Sequence, residues 1–266
     1  MPDTSENIHK VVREHYAERI KSDSACCGNG ADCGCQSDLY PAELLSAIPS
    51  GEVPASYGCG DPITLASLEP GQTVLDLGSG AGLDCFLAAA KVGPTGRVIG
   101  VDMTPEMIDR ARASASRLGL ANVSFQHGLL ERMPVEDTSV DVAISNCVIN
   151  LAPDKAAVFR EVYRVLKPGG RLAVSDIVTD GPLPEGIKAD LSAWAGCLAG
   201  ALDVNDYRAA MEAAGLIDIT ISPSYFDDTS LEKAIREMGE PTELRGYSRE
   251  AIARTVFSAR ITARKP

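Results

Sequence analysis

The amino-acid sequence predicts an α/β fold built on one doubly wound, mostly parallel sheet. Beyond Thr73, short apolar segments of strand length alternate with helical segments, which is typical of a sheet covered by helices on both faces. One strand-to-helix connection is a tight turn of glycines, as expected where such a sheet binds a ligand. The last strand, Thr255–Thr262, alternates its faces, so we expect it to be antiparallel and at or near the edge.

The boundaries of the predicted elements follow from hydrophobic periodicity and from residues that begin or end a helix. The predicted strands are Thr73–Leu77, Val98–Val101, Val123–Gln126, Val140–Ser145, Arg171–Asp176, Ile217–Ser222 and Thr255–Thr262. The predicted helices between them are Leu83–Val92, Pro105–Leu118, Lys155–Leu166 and Asn205–Ala214. Ahead of this alternation, an apolar stripe at Glu6–Lys21 and prolines around Leu39–Ile48 predict two short helices.

Shifts in composition along the sequence divide the chain into three parts. We expect residues 1–56 to form a cysteine-rich N-terminal cap and residues 57–225 to form the ligand-binding core. Residues 226–266 then supply a C-terminal lid helix and the last strand. The segments 181–202 and 226–248 are interpreted as insertions that cover the binding site.

The charge and cysteine content exclude several classes of function. A net charge of −12 argues against binding to nucleic acid or to an anionic membrane, which need a basic surface. No apolar run of about 18 residues predicts a membrane span, and the N-terminal residues lack the pattern of a secretion signal. We therefore expect a cytoplasmic protein. In that reducing compartment, 8 cysteines favour metal binding or redox chemistry over structural disulfides.

The glycine turn is the first candidate for a binding site. It has the sequence Asp76-Leu-Gly-Ser-Gly-Ala-Gly-Leu-Asp84 and joins an apolar strand to a helix. This arrangement brings backbone N–H groups and the positive end of a helix to a nucleotide-like ligand. The glycine spacing departs from the dinucleotide pattern, and the lack of a Gly-Lys-Ser/Thr sequence excludes a P-loop.

An acidic residue, Asp102, ends the next predicted strand roughly 20 residues beyond the turn, where a carboxylate can bind both ribose hydroxyls. The alternative, that it caps the following helix, is less favoured because Thr104 is the better cap. The turn and this acidic strand end resemble class I S-adenosylmethionine-dependent methyltransferases with a Rossmann-like sheet. The resemblance puts Asp76 near the methionine part of the donor and Met103 beside the adenine. The expected donor-binding residues are Asp76, Gly78, Ser79, Gly80, Gly82, Asp84, Asp102, Met103, Leu130, Glu131 and Asn146.

Three cysteines can reach the place where a sheet of this type binds ligands, outside the carboxyl ends of its strands. Cys147 follows the predicted strand Val140–Ser145, and Cys197 follows the fifth strand. Cys59 lies between two glycines ahead of the first strand, which leaves its thiol accessible. Two alternatives stay open, a core position for Cys147 and a tightly packed helix for Cys197. Cys85 is assigned to the core because apolar residues follow it on the first core helix.

The segments around these three cysteines resemble the signature motifs of arsenite methyltransferases. They are Tyr57-Gly-Cys-Gly, Ser145-Asn-Cys-Val-Ile-Asn-Leu and Gly196-Cys-Leu-Ala-Gly-Ala-Leu. The third motif departs from the usual Gly-Glu-Cys of the family, because Ala-Gly precedes Cys197. The resemblance covers about 53–222 and implies that Cys59, Cys147 and Cys197 bind trivalent arsenic and carry the catalysis.

The implied chemistry suits these residue types. Trivalent arsenic is soft and prefers thiolates, and several converging thiols bind it better than one because the later bonds are intramolecular. Its lone pair can attack the methyl carbon, so that positioning the two reactants can supply ~7–11 kcal/mol of the barrier. Since no proton leaves the nucleophile, we expect His127 to be structural rather than a general base.

The resemblance also implies a redox relay through N-terminal cysteines, with thioredoxin or glutathione as the reductant. Spacing does not choose among the candidates, which are Cys26, Cys27, Cys33 and Cys35. Deleting residues 1–36 is expected to spare donor binding and to reduce multiple turnover. Two alternatives stay open, a C- or O-methyltransferase with another small-molecule acceptor and a non-enzymatic protein that binds soft metals. We expect a monomer.

Overall fold

A computed structural model describes residues 4–23, 39–49, 52–54, 56–181, 200–224 and 255–266 of the chain. The strands are β1 (Thr73–Leu77), β2 (Arg97–Asp102), β3 (Val123–His127), β4 (Val140–Asn146), β5 (Leu166–Thr179), β6 (Leu202–Asp203), β7 (Ile217–Ser224) and β8 (Val256–Arg264). The helices are α1 (Thr4–Asp23), α2 (Ala42–Leu45), α3 (Pro62–Ala66), α4 (Leu83–Val92), α5 (Pro105–Arg117), α6 (Lys155–Val165) and α7 (Val204–Ala213). Every strand and helix predicted between Thr73 and Ser222 is present, as is the last strand, whereas the expected lid segment 226–248 and most of 181–202 lie outside the described residues.

The strands form one sheet in the order β3-β2-β1-β4-β5-β8-β7, and the short β6 pairs in parallel with β5. Strands β1 to β5 pair in parallel, whereas β8 runs antiparallel to both β5 and β7. The predicted doubly wound, mostly parallel sheet with an antiparallel last strand near the edge is confirmed. Strand order reverses between β1 and β4, so a crevice opens at the carboxyl ends of these two strands.

Alternation along β1 explains why helices cover both faces of the sheet. Leu75 and Leu77 point into one apolar core, which they share with α6, and Val74 points into the other, which it shares with α4. All three side chains are fully buried. Because successive side chains of a strand face opposite sides, a strand buried on both faces has the continuous apolar run seen here.

Several features of the fold differ from the expectations. Helix α2 covers only Ala42–Leu45 and is shorter than the predicted Leu39–Ile48. Strand β5 begins at Leu166 rather than Arg171, because the backbone of Gly169 and Gly170 pairs with Lys265 near the end of the chain. The short helix α3 was not predicted, although Asp61 caps it by accepting the Thr64 N–H. Strand β6 was also not predicted, and two residues are too few for a recognisable pattern.

Helix α1 covers 20 residues and packs on α5 and the turn after β4. It is long for a segment that was expected to be only a short helix. Its apolar side chains face the core, while charged side chains face solvent. None of the helices in the described ranges combines the length and apolarity that are needed to cross a membrane.

Candidate active site

A cavity opens at the carboxyl ends of β1, β2 and β4, where the topology places a crevice. Nine of the residues expected to bind the donor line it, namely Gly78, Ser79, Gly80, Asp84, Asp102, Met103, Leu130, Glu131 and Asn146. The glycine turn, the acidic strand end and the segment after β4 therefore meet at one place.

Two residues expected to bind the donor lie behind the cavity wall. Asp76 is buried, and its Oδ2 accepts a hydrogen bond from the Cys85 thiol, with Sγ at 3.2 Å. Gly82 has a φ of 97°, and a Cβ there would lie 2.8 Å from the ring of Phe86 and 2.9 Å from that of Phe125. These residues shape the turn from behind, and the structure does not bring them to the cavity surface.

The backbone of the turn is used differently from a phosphate-binding loop. The N–H groups of Gly78 and Ser79 both donate to the Val101 carbonyl, at 2.8 and 3.0 Å. The Gly80 N–H donates to Asp102 Oδ2 at 2.9 Å. Because these donors are already satisfied within the protein, the turn suits a ligand other than a phosphate. Gly78 has a φ of 71°, and a Cβ there would lie 2.2 Å from Val148.

The carboxylate of Asp102 is fixed by backbone donors from two sides. Its Oδ2 accepts the Gly80 N–H, and its Oδ1 accepts the Thr104 N–H at 2.8 Å. Burial raises the pKa of Asp102, and these N–H groups oppose the rise. Each oxygen keeps a further lone pair for a ligand hydroxyl. Thr104 occupies the cap position of α5, as expected, although its side chain makes no capping hydrogen bond.

Two of the three predicted arsenic-binding cysteines meet at this cavity. Cys59 and Cys147 are 88 residues apart in sequence, yet they form a disulfide with a Cα–Cα distance of 5.7 Å. Cys197 and the relay candidates Cys26, Cys27, Cys33 and Cys35 lie outside the described residues. Among the described residues, no cluster of three or more His, Cys, Asp or Glu side chains has the geometry of a metal site.

The backbone of Cys147 is held in an unusual conformation. Its φ of 58° is in the left-handed region, which non-glycine residues adopt at a cost of ~1–3 kcal/mol. The Cys147 N–H donates to the Ser175 carbonyl on β5 at 2.7 Å. Such strain persists only where the surroundings enforce it, and it is frequent at functional sites. The position next to the cavity fits that pattern.

The glycines on each side of Cys59 allow its loop to approach the sheet closely. A Cβ on Gly58 would lie 2.2 Å from the side chain of Asn146, and one on Gly60 would lie 2.6 Å from Ser175 Oγ. Asn146 Oδ1 accepts the Cys59 N–H at 2.9 Å, and the Ser258 hydroxyl donates to the Cys59 carbonyl at 3.2 Å. The glycines are therefore required for close packing as well as for access to the thiol.

Buried acids surround the inner end of the cavity. Burial raises the pKa of the Asp84 carboxyl, and hydrogen bonds from Tyr40 and Asn146 oppose the rise. Burial followed by the nearby Asp84 charge raises the pKa of Asp76. The pKa of the Cys85 thiol is raised by burial and then by Asp76, so this cysteine stays protonated and unreactive, as its assignment to the core requires.

Helix α1 contributes a wall that the sequence did not reveal. His9, Val12 and Tyr16 line the cavity, and His9 Nε2 lies 3.0 Å from Glu131 Oε1 on the opposite rim. The apolar stripe of α1 indicated a helix with one buried face but gave no information about the surface it packs on. By contrast, His127 does not line the cavity, and its Nε2 hydrogen-bonds the Met103 carbonyl at 2.9 Å.

Several known proteins share the sequence pattern of this chain. Residues 68–215 match a family model described as a methyltransferase domain. The arsenite methyltransferase of Halobacterium salinarum is 43% identical over 98% of this chain and 67% of its own length. The arsenite methyltransferase of Aquipseudomonas alcaligenes is 40% identical over 79% of this chain and 62% of its own length. That of Homo sapiens is 36% identical over 73% and 54%. The chain thus spans between about half and two thirds of these relatives.

Solved structures agree with these similarities. The arsenic(III) S-adenosylmethionine methyltransferase of Chlamydomonas reinhardtii superposes with a TM-score of 0.61 at 35% identity, over 87% of this chain and 71% of that chain. A geranyl diphosphate C-methyltransferase from Streptomyces coelicolor reaches a TM-score of 0.62 at 20% identity, over 77% and 73%. At that identity only the fold is shared, so the acceptor has to be inferred from the site rather than from the fold.

Proposed function

The chain belongs to the arsenite methyltransferase family, and from that premise we propose that it transfers methyl groups from S-adenosylmethionine to trivalent arsenic held by thiolates. The main supporting observation is the convergence of Cys59 and Cys147 beside the cavity that contains Asp102 and the glycine turn. A C- or O-methyltransferase has no need for two cysteines, distant in sequence, at the carboxyl ends of its strands.

The proposed arsenic ligands are Cys59, Cys147 and Cys197. In their reduced form, the first two present sulfur atoms from neighbouring backbone segments, and Cys197 would complete a three-thiolate site. Thiolates match a soft centre such as trivalent arsenic. Because β4 and β5 fix Cys147, its thiolate needs little reorganisation to bind the substrate, which favours attack by the arsenic lone pair.

The residues that line the cavity fit the methyl donor. The hydroxyls of Ser79 and Tyr57 are buried at the cavity and have no hydrogen-bond partner within the described part of the chain, so they are available to a polar ligand. We propose that Asp102 holds the ribose hydroxyls, that Met103 and Leu130 contact the adenine, and that Asp84 lies near the methionine part. When bound, the donor supplies an electrophilic methyl group. The chain itself aligns the thiol-bound arsenic with it and excludes water.

We further propose that the Cys59–Cys147 disulfide is the oxidised form of the catalytic pair. Transfer of a methyl cation to the arsenic lone pair leaves arsenic pentavalent. Two thiolates can return it to the trivalent state by giving up two electrons and forming a disulfide, which thioredoxin or glutathione then reduces. Cys26, Cys27, Cys33 and Cys35 remain the proposed relay cysteines between this pair and the external reductant.

Replacing all four relay candidates by serine is expected to permit one turnover per enzyme and to slow later turnovers at least about tenfold, since reduction of the active-site pair would then depend on direct attack. Rapid-quench measurement of methylarsenic formation separates the burst from the steady state. Multiple turnover at the full rate would contradict the relay. Deletion of residues 1–36 is a poorer test than expected, because it also removes α1 and its cavity wall.

The proposed activity is tested by incubating the protein with arsenite, a thiol and S-adenosylmethionine, and by identifying arsenic species with mass spectrometry. The expected result is arsenic-bound methyl groups in an amount equal to the S-adenosylhomocysteine formed. Arsenic binding without consumption of the donor would favour a soft-metal-binding protein, and donor consumption only with a carbon or oxygen acceptor would favour the other alternative.

The proposed organisation is that of a cytoplasmic monomer. Residues 1–56 would cap the site, 57–225 would bind donor and arsenic, and 226–266 would provide the lid and the last strand. Thiol chemistry that depends on a reductant supports a reducing compartment.

A further inference from the structure

We propose that Tyr40 is a positioning residue whose hydroxyl, together with Asp84 and Asn146, holds the Cys59 loop at the donor cavity. This inference rests on the proposed function in one respect, namely that arsenic is the substrate bound by the Cys59 thiol. Tyr40 is 4% exposed and does not line the cavity, so it acts through other residues. Tyr40 and Cys59 both lie outside residues 68–215, the part that matches the general methyltransferase domain.

The Tyr40 hydroxyl makes two hydrogen bonds. It donates to Asp84 Oδ1 at 2.8 Å, and it accepts an N–H of Asn146 at 2.9 Å. A phenolic oxygen offers one donor and two lone pairs, so its donor and one lone pair are used. The geometry of the donor-binding turn is thereby linked to the geometry of the segment that leads to Cys59.

Asn146 carries this link to the thiol loop. Its Nδ2 lies 2.9 Å from Tyr40 Oη and 2.8 Å from the Gly60 carbonyl, and its Oδ1 accepts the Cys59 N–H at 2.9 Å. The Cys59 group is an N–H, which can only donate, and the Gly60 group is a carbonyl, which can only accept. The Oδ1 and Nδ2 positions of the Asn146 amide are therefore fixed and cannot be interchanged. Asn146 also has its Nδ2 3.3 Å from Asp84 Oδ2. The Asn146 side chain thus hydrogen-bonds the backbone of Cys59 and that of the next residue, Gly60.

The Tyr40 ring and the Tyr40 hydroxyl have separable roles. The ring packs in the apolar core with Leu44, Ile48 and Ile63, which any aromatic side chain could do. The hydroxyl adds nothing to that packing, and burying it requires the partners it has found. Tyr40→Phe keeps the ring and removes only the link, so this substitution distinguishes a positioning role from a packing role.

The test is the equilibrium between the Cys59–Cys147 disulfide and its dithiol in the full chain, measured in glutathione redox buffers by alkylation and mass spectrometry. Tyr40→Phe is expected to lower the equilibrium constant for disulfide formation about tenfold, equivalent to about 30 mV for a two-electron couple. The reason is that a less restrained Cys59 loop meets Cys147 less often. The Kd for S-adenosylhomocysteine is expected to rise by less than the disulfide constant falls, because Asp84 keeps its contact with Asn146, and kcat/KM for arsenite is expected to fall with the disulfide constant.

The matched control is Tyr207→Phe, which removes another buried tyrosine hydroxyl that lies 3.3 Å from a carboxylate, that of Asp176. It is expected to leave the thiol equilibrium unchanged. An unchanged thiol–disulfide equilibrium in Tyr40→Phe would overturn the proposal, whether or not donor binding is also weakened. If Tyr40→Phe does not fold, Asn146→Ala must produce the same shift. Since this readout needs no methylation, it stays informative even if the chain does not methylate arsenite.

Discussion

Cys147→Ser is expected to lower kcat/KM for arsenite by on the order of 10²-fold or more, since loss of one thiolate removes the intramolecular advantage of a multidentate site. Serine has nearly the same shape, so it can keep the left-handed backbone and the hydrogen bond to the Ser175 carbonyl. The hard oxygen that replaces the sulfur is a poor ligand for a soft centre. Steady-state methylation assays with arsenite measure the loss of kcat/KM. Calorimetric titration of S-adenosylhomocysteine measures donor binding in the same variant.

The matched control for this substitution is Cys85→Ser. Cys85 is a free, fully buried thiol, and a serine there can still donate to Asp76. We expect near-normal methylation by this variant. If Cys147→Ser methylates arsenite as well as Cys85→Ser does, thiolate binding of the substrate at Cys147 is wrong and the acceptor has to be sought elsewhere.

Asp102→Ala is expected to weaken S-adenosylhomocysteine binding roughly 10- to 100-fold, the range for losing charge-assisted hydrogen bonds. The substitution removes the proposed ribose acceptor and also frees the N–H groups of Gly80 and Thr104, which the carboxylate now holds. Asp102→Asn keeps one acceptor oxygen and is expected to be intermediate. Isothermal titration calorimetry gives the three dissociation constants directly.

Asp141→Ala provides the comparison for Asp102. Asp141 also accepts a backbone N–H, that of Thr73 at 2.8 Å, but it lies at the amino end of β4, away from the cavity. Loss of the Asp141 carboxylate is expected to lower the free energy of unfolding. It is expected to leave the Kd of the donor analogue within about twofold. Equal donor affinity in Asp102→Ala and the unmodified chain would show that Asp102 does not hold the ribose.

Local patterns determined what could be predicted from the sequence. β1 and α4 were predicted with their observed ends, because an apolar run followed by a glycine turn and an alanine-rich helix is unambiguous over a few residues. The place of Asp102 at the cavity followed from the topology of parallel sheets. The positions of Gly82 and Asp76 behind the cavity wall could not be predicted in this way. Whether a turn residue faces the cavity depends on neighbours that the sequence does not identify.

Contacts between distant segments could not be predicted in the same way. The hydrogen bond between Asn146 and Tyr40 joins residues 106 apart, and nothing near either residue indicates the other. The packing of α1 against the cavity has the same character, because an amphipathic stripe defines a buried face but not its partner. The topology of the sheet placed Cys147 at the crevice, but the meeting of Cys59 with Cys147 at one arsenic site was expected from the resemblance of the surrounding motifs to those of a known family.

The anchoring of both thiol segments to the sheet bears on any attempt to redesign the acceptor. The backbone of Cys147 is tied to Ser175 on β5, and that of Cys59 is tied to Ser258 on β8. The separation of the two sulfur atoms is therefore dictated by adjacent strands, which resist displacement far more than surface loops do. Engineering for a larger pnictogen or a bulkier organoarsenical would have to move the strands themselves or remove the Ser258 hydroxyl, since the Ser175 anchor is a main-chain carbonyl that any substitution there keeps.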